Sequence, residues 1–293
     1  MPGDMAVQAV SALSSVPSEP GAPKPDPILV VDGVVRRFGG LTAVDVQHVE
    51  FQRGAITALI GPNGAGKSTF FNLLSGFDKA DGGTWSYEGA TITNTPPHRL
   101  ARKGMVRTFQ LTKSLSRMKV IDNMRLGAGN QKGEVMLASI LPFTWRGQER
   151  QITAQAMELL ARFNLAEKAN DFAGSLSGGQ RKLLEMARAL MLKPDLIMLD
   201  EPMAGVNPAL KQSLLDHIRD IREQGTTVVF VEHDMDMVRD VSDWVVVMAQ
   251  GKVIAEGTPD TVMRDQRVID AYLGAHHDTQ LTASGESLTE GKA

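Results

Sequence analysis

The chain has 293 residues and a formal net charge of −3, with 42% hydrophobic and 22% charged residues. That balance suits a globular fold with a sizeable core and argues against a strongly basic, nucleic-acid-binding chain. It has no cysteine, which excludes disulfides and thiolate chemistry, and no apolar run near the length of a membrane span.

In chain order, residues 1 to 27 are rich in Pro, Ser, Ala and Gly and carry few large apolar side chains. They read as a disordered tail without the basic start and long apolar core of a signal peptide. The stretches "PILVVDGVVRRF" and "AVDVQHVEFQRGAITALIG" carry short β-branched runs broken by turn residues, and "GGTWSYEGATI" reads as a hairpin. From about residue 101 to 193 the pattern is mainly helical. There "ERQITAQAMELLARFNL" puts Ile152, Ala156, Leu159, Leu160 and Phe163 on one face, and "QRKLLEMARALML" is ended by Lys193-Pro194. Alternation of strand, loop and helix then returns through "DLIMLDEP", "PALKQSLLDHIRDIREQ", "TTVVFVEH" and "WVVVMAQGKVIAEG". The fold class is α/β, with a helical subdomain inserted in the core and a second disordered tail at 276–293.

The stretch "GPNGAGKS" fits the pattern of a phosphate-binding loop, with an apolar strand before it and a helix after it. Gly61, Gly64 and Gly66 allow backbone N–H groups to close around phosphate oxygens, while Pro62, Asn63 and Ala65 complete the loop. The helix that begins near Lys67 aims its positive end at the same anion. Lys67 adds a full charge at the outer phosphates, and the Ser68 hydroxyl, followed by Thr69, is placed for Mg²⁺.

A second apolar strand, "LIMLDEP", ends in two carboxylates. Asp200 suits the Mg²⁺ shell, and Glu201, pointing to the opposite face, can turn to an attacking water. In "RTFQ", Gln110 carries an amide that can ligate Mg²⁺ or orient water, though spacing alone favours a surface glutamine. His233 in "VFVEHD" follows a buried strand; a lone histidine is more often structural, and at the strand edge of Asp200 it becomes a γ-phosphate contact. A second glycine turn, Ser177, Gly178, Gly179 and Gln180, opens a helix inside the insert. Being remote in sequence from the first loop, it is expected to serve the nucleotide of another molecule.

The set "GPNGAGKST", "RTFQ", "LSGGQ", "LIMLDEP" and "VEHD", in this order, resembles the ATP-binding-cassette ATPases over roughly residues 28 to 275. The resemblance implies a P-loop NTPase (RecA-like) core with an antiparallel β subdomain and an inserted helical signature subdomain, binding ATP and Mg²⁺. It implies that Lys67, Ser68, Gln110, Asp200, Glu201 and His233 act as described, and that Ser177 to Gln180 complete the site of an opposite subunit. Phe38, with Val44 nearby, matches the family's adenine-stacking aromatic, often Tyr; Phe keeps the π-face.

More closely, "RFGGLTAV", "GPNGAGKSTFFNLLSGF", "GMVRTFQ", "EPMAGVNP" and "AYLG" resemble the ATPase subunits of bacterial branched-chain amino acid importers. Importers of urea and short amides, and a lipopolysaccharide exporter, share much of this pattern. The implied partners are a second copy or a paralogous ATPase, transmembrane permease subunits and an external solute-binding protein, with no nucleic acid. The implied place is peripheral, on the cytoplasmic face of the inner membrane, with Leu111 to Met124 as the permease contact. A soluble cassette acting on ribosomes or DNA is the alternative of another class; such relatives usually carry two cassettes or a long coiled-coil insertion. One departure from the wider family is Asn207 in "AGVNP", where an aspartate often crosses the dimer interface.

Overall fold

The computed structural model describes residues 2–108, 115–129 and 142–273. They divide into two compact units, Met1–Asn94 with Val229–Ala293, and Thr95–Val228. The chain begins in the first unit with α1 (Pro2–Leu13), β1 (Pro27–Phe38), β2 (Leu41–Gln52), β3 (Ile56–Ile60), α2 (Lys67–Leu74), β4 (Gly82–Tyr87) and β5 (Ala90–Thr91). The second unit holds α3 (Pro97–Arg102), β6 (Met105–Arg107), α4 (Val120–Leu126), α5 (Pro142–Arg162), α6 (Gly178–Leu190), β7 (Leu196–Asp200) and α7 (Pro208–Glu223). The strand β8 (Thr227–Val231) returns the chain to the first unit, which ends with α8 (Met235–Val241), β9 (Trp244–Ala249), β10 (Lys252–Gly257), α9 (Pro259–Val262) and α10, residues 266–273.

Two sheets organise the first unit. One is antiparallel, in the order β2-β1-β4-β5; its β1–β2 hairpin closes on Gly39-Gly40, with Phe38 opposite Leu41. In the other, β3 runs parallel to β9, Thr57 opposite Trp244 and Ile60 opposite Val247, and β10 folds back antiparallel on β9. β3 and β8 are buried at every residue, as their unbroken apolar runs require of strands covered on both faces.

In the second unit β6 and β7 pair in parallel, Arg107 opposite Met198. The face read on α5 is realised: Ala156, Leu160 and Phe163 are fully buried, with Ile152 and Leu159 at its margin. Phe163 stacks on His217 of α7 at 4.3 Å, and burial pushes the His217 imidazole below its ordinary pKa.

The N-terminal reading needs correction. Residues 2–13 form α1, whose Ala6, Ala9 and Leu13 are buried, and residues 14–26 lead into β1 with Ala22 and Lys24 buried. The buried face is Ala6, Ala9 and Leu13, while Val7 and Val10 are exposed; alanine buries little area per residue, so much of the attachment is left to other contacts. The attachment is polar as well. The Lys24 ammonium lies 3.1 Å from Glu256 Oε2 and donates to the Ala22 carbonyl at 2.6 Å. Glu256 also accepts from the Ala22 N–H at 2.9 Å and from Trp244 Nε1 at 3.1 Å. Lys24 lies over the Trp244 ring at 4.7 Å. The expected C-terminal tail lies outside the described residues.

Candidate functional site

In the first unit, the buried strand β3 delivers the chain into Gly61–Gly66, and α2 starts at Lys67. The loop is held against β2 through Gly251, whose N–H donates to Ala65 and whose carbonyl accepts from Asp45. Two glycines are obligatory here. Gly61 has φ 148° and a Cβ would strike the Met248 carbonyl oxygen; Gly66 has φ 96° and a Cβ would strike that of Ala43. Gly66→Ala should therefore unseat the loop and weaken ATP binding at least about tenfold in a fluorescent-nucleotide titration. Unchanged affinity would show that the loop conformation is not what binds.

The Lys67 ammonium folds back over the loop, donating to the carbonyls of Gly61 at 2.6 Å and Pro62 at 3.0 Å. A phosphate oxygen would make a stronger, charge-assisted bond than either carbonyl. Asn63, Gly64 and Ser68 are exposed and Thr69 is half-buried, leaving the outside of the loop open. Phe38, at the tip of β1, is 49% exposed and offers its ring to solvent. Val44 is fully buried and presents no surface; its neighbour Ala43 turns a carbonyl toward Gly66 of the loop. His233 is exposed just after β8, and its backbone N–H donates to the buried Glu232 carboxylate at 3.2 Å.

In the second unit, Asp200 ends β7 and is paired with Arg107 of β6, Nη2 to Oδ2 at 2.6 Å. Glu201 follows at φ 45°, a rare conformation for a non-glycine residue, and its carbonyl accepts from Lys182 Nζ at 3.3 Å. The turn that opens α6 is a complete capping box. Gln180 N–H donates to Ser177 Oγ at 3.2 Å, and Ser177 N–H donates to Gln180 Oε1 at 3.0 Å. The box leaves the N–H groups of Gly178 and Gly179 at the first helical positions without intrahelical acceptors. Ser177 and Gly178 are exposed, whereas Gly179 is buried with Leu210 behind it. Gln110 lies outside the described residues.

Comparison with known proteins gives this geometry a family. The profile described as "ABC transporter" matches residues 44–204, and that of "Branched-chain amino acid ATP-binding cassette transporter" matches 252–278. The probable branched-chain amino acid transport ATP-binding protein LivG of Archaeoglobus fulgidus is 41% identical over 248 residues, covering 85% of this chain and 96% of its own. BraF of Pseudomonas aeruginosa, a high-affinity branched-chain amino acid transport ATP-binding protein, is 41% identical over 250 residues, 85% of this chain and 98% of its own. The chain belongs to the ABC transporter family. Its fold agrees: a nucleotide-free ATP-binding cassette from an ABC transporter superposes with TM-score 0.74 at 37% identity, covering 84% of this chain and 98% of the other. The ADP conformation of MJ1267, an ATP-binding cassette of an ABC transporter, gives 0.73 at 36% identity, covering 85% and 99%.

Three residues of this cassette make contacts that the motifs did not announce. Arg107 stands within the quoted "GMVRTFQ", yet its pairing with Asp200 depends on β6 and β7 meeting across 93 positions. Tyr272, of the "AYLG" stretch, lies against the backbone of Gly61; burial pushes its phenol up to about 12, so it is un-ionised at neutral pH. Asn207 caps α7, its side chain accepting from the Leu210 N–H at 2.9 Å. An aspartate would cap equally well, so the helix start tolerates either residue.

Proposed function

We propose that this chain is the ATP-hydrolysing subunit of an importer, powering uptake of branched-chain or related amino acids through separate membrane subunits. The observation that carries the ATP reading is the loop Gly61–Gly66, with positive φ at three glycines and the Lys67 ammonium poised over it. The names of the relatives support the choice of solute. Among the described residues, no helix is long and apolar enough to cross a membrane, and the proposal gives the solute path to separate chains.

Adenine stacks on Phe38, the triphosphate lies in the Gly61–Thr69 loop, and Lys67 and His233 bind γ-phosphate oxygens. Glu201 polarises a water. The water oxygen attacks the γ-phosphorus, the bond to the β,γ-bridging oxygen breaks, and the water proton passes to the carboxylate. The Ser68 hydroxyl, the Asp200 carboxylate and the Gln110 amide are hard oxygen donors of the kind Mg²⁺ takes, and when bound the ion neutralises phosphate charge. The turn Ser177–Gln180, exposed at Ser177 and Gly178, completes the site of a second cassette, either a copy of this chain or a paralogue.

The complex also contains transmembrane permease subunits and works with an external solute-binding protein; the cassette sits on the cytoplasmic face of the membrane. The test is uptake by proteoliposomes that contain the cassette with its permease subunits and binding protein. ATP-driven accumulation of leucine or valine, lost with Lys67→Ala, is expected. Accumulation of urea or a short amide instead would keep the ATPase role and change the solute.

A further inference from the structure

Phe38 stands at the exposed end of a hairpin, next to Gly39-Gly40 and Leu41, and Leu41 is 68% exposed. An aromatic ring in such a place has several rotamers and little to hold it. In this chain one face of the ring is occupied: the Arg36 guanidinium carbon lies 4.6 Å from its centroid. Arg36 and Phe38 are two residues apart on one strand, the spacing that brings side chains to the same face, and the register shifts between Arg36 and Arg37.

The guanidinium is itself clamped. Nε donates to Asp78 Oδ2 at 3.1 Å, Nη2 lies 2.9 Å from Asp78 Oδ1, and Nη1 donates to Asp81 Oδ1 at 3.2 Å. The remaining oxygen of Asp81 accepts the Arg37 N–H at 2.6 Å. That backbone bond first, and the Arg36 charge after it, hold the Asp81 carboxyl below the usual carboxylate range, so the clamp stays charged at neutral pH. Asp78 follows the turn that ends α2, its N–H bonded to the Asn72 carbonyl, so the clamp joins the ring to the helix that begins at Lys67.

We infer that Arg36 is a positioning residue for the nucleotide base: it backs one face of Phe38 and fixes the ring so that the open face receives a purine. The inference rests on the reading of Phe38 as the base platform. Fixing the ring before ATP arrives removes an ordering cost from binding, and it ties the base platform to the helix of the phosphate loop. A cation behind the ring is itself attracted to the π-face it covers.

Inorganic tripolyphosphate separates this role from a structural one, because it can fill the phosphate loop but has no base. Calorimetric titrations of ATP and of tripolyphosphate would be made on the wild type, Arg36→Met, Phe38→Ala and the double variant. Arg36→Met keeps the apolar stem and removes the cation and its clamp. It should weaken ATP about two- to fivefold and leave tripolyphosphate unchanged. Phe38→Ala should weaken ATP about tenfold with the same indifference to tripolyphosphate. The double variant should match Phe38→Ala alone, since Arg36 acts through the ring.

Equal loss of both ligands in Arg36→Met would overturn the inference and make Arg36 a support of the loop. Loss of ATP affinity in Phe38→Ala but none in Arg36→Met would overturn it while leaving the base platform standing. No change in the ratio of the two ligands for Phe38→Ala would remove the platform and the inference together.

Discussion

Glu201→Gln should lower ATP turnover about 10²- to 10⁴-fold while leaving ATP affinity nearly unchanged. Glutamine has the shape of glutamate, so the peptide at φ 45° and the Lys182 bond to the Glu201 carbonyl stay as they are. What it loses is the charge and the proton-accepting oxygen that the proposed reaction assigns to Glu201. The variant therefore separates binding from chemistry, which Lys67→Ala does not. Phosphate release in a single turnover, on the cassette assembled with its membrane partners, reads the chemical step; a nucleotide titration reads binding. Hydrolysis at the wild-type rate would remove Glu201 from the reaction and return the acidic pair to a solvated turn after a strand.

Lys24→Met should destabilise the cassette by about 3–5 kcal/mol, the usual cost of leaving a buried charge without its partner. The side chains of Lys24 and Glu256 are 1% and 0% exposed. Glu256 would keep the Ala22 and Trp244 N–H groups but lose its cation. The relief open to it is undocking of residues 14–26, which would let water reach the carboxylate. Chemical denaturation should therefore show a lower midpoint, and limited proteolysis should cut sooner between α1 and β1. Lys24→Met with Glu256→Gln should recover most of the loss, because the uncompensated charge is then gone. A midpoint unchanged in the single variant would mean that the N-terminal segment adds nothing to the stability of β9 and β10.

How much could be read beforehand depended on how far apart in sequence the partners lie. The phosphate loop was legible because strand, glycines, lysine and helix occupy one short stretch, and steric constraint fixes where the glycines stand. The strands β1, β3, β7, β8 and β9 were legible for the same reason, each being a continuous apolar or β-branched run. The α5 face followed from helical spacing, and Ala156, Leu160 and Phe163 are buried as it required.

The Lys24–Glu256 pair joins positions 232 apart, and nothing local marks either residue as buried. Residues 1 to 27, expected to be disordered, are instead held by that pair and by the face of Ala6, Ala9 and Leu13, which the surrounding Pro, Ser and Gly obscure. Arg36 is different. Its spacing from Phe38 placed it on the same strand face, so a signal existed, but the acidic partners that give it purpose come from beyond α2. The side chains of Ser177 and Gln180 close a capping box on α6, which leaves the Gly178 and Gly179 N–H groups without intrahelical acceptors; the proposed nucleotide role of the turn draws on those groups.

In the proposed cycle two cassettes close around ATP, each lending its Ser177–Gln180 turn to the other. The direct measurement is the mass of Glu201→Gln in solution by light scattering, with and without MgATP, since slowed hydrolysis should hold any closed pair together. Doubling of mass with MgATP, abolished by a bulky residue at Ser177, is the predicted result for a pair of identical chains. A mass that stays monomeric while ATP is bound, alone and after addition of the paralogous ATPase of the same complex, would contradict the shared site.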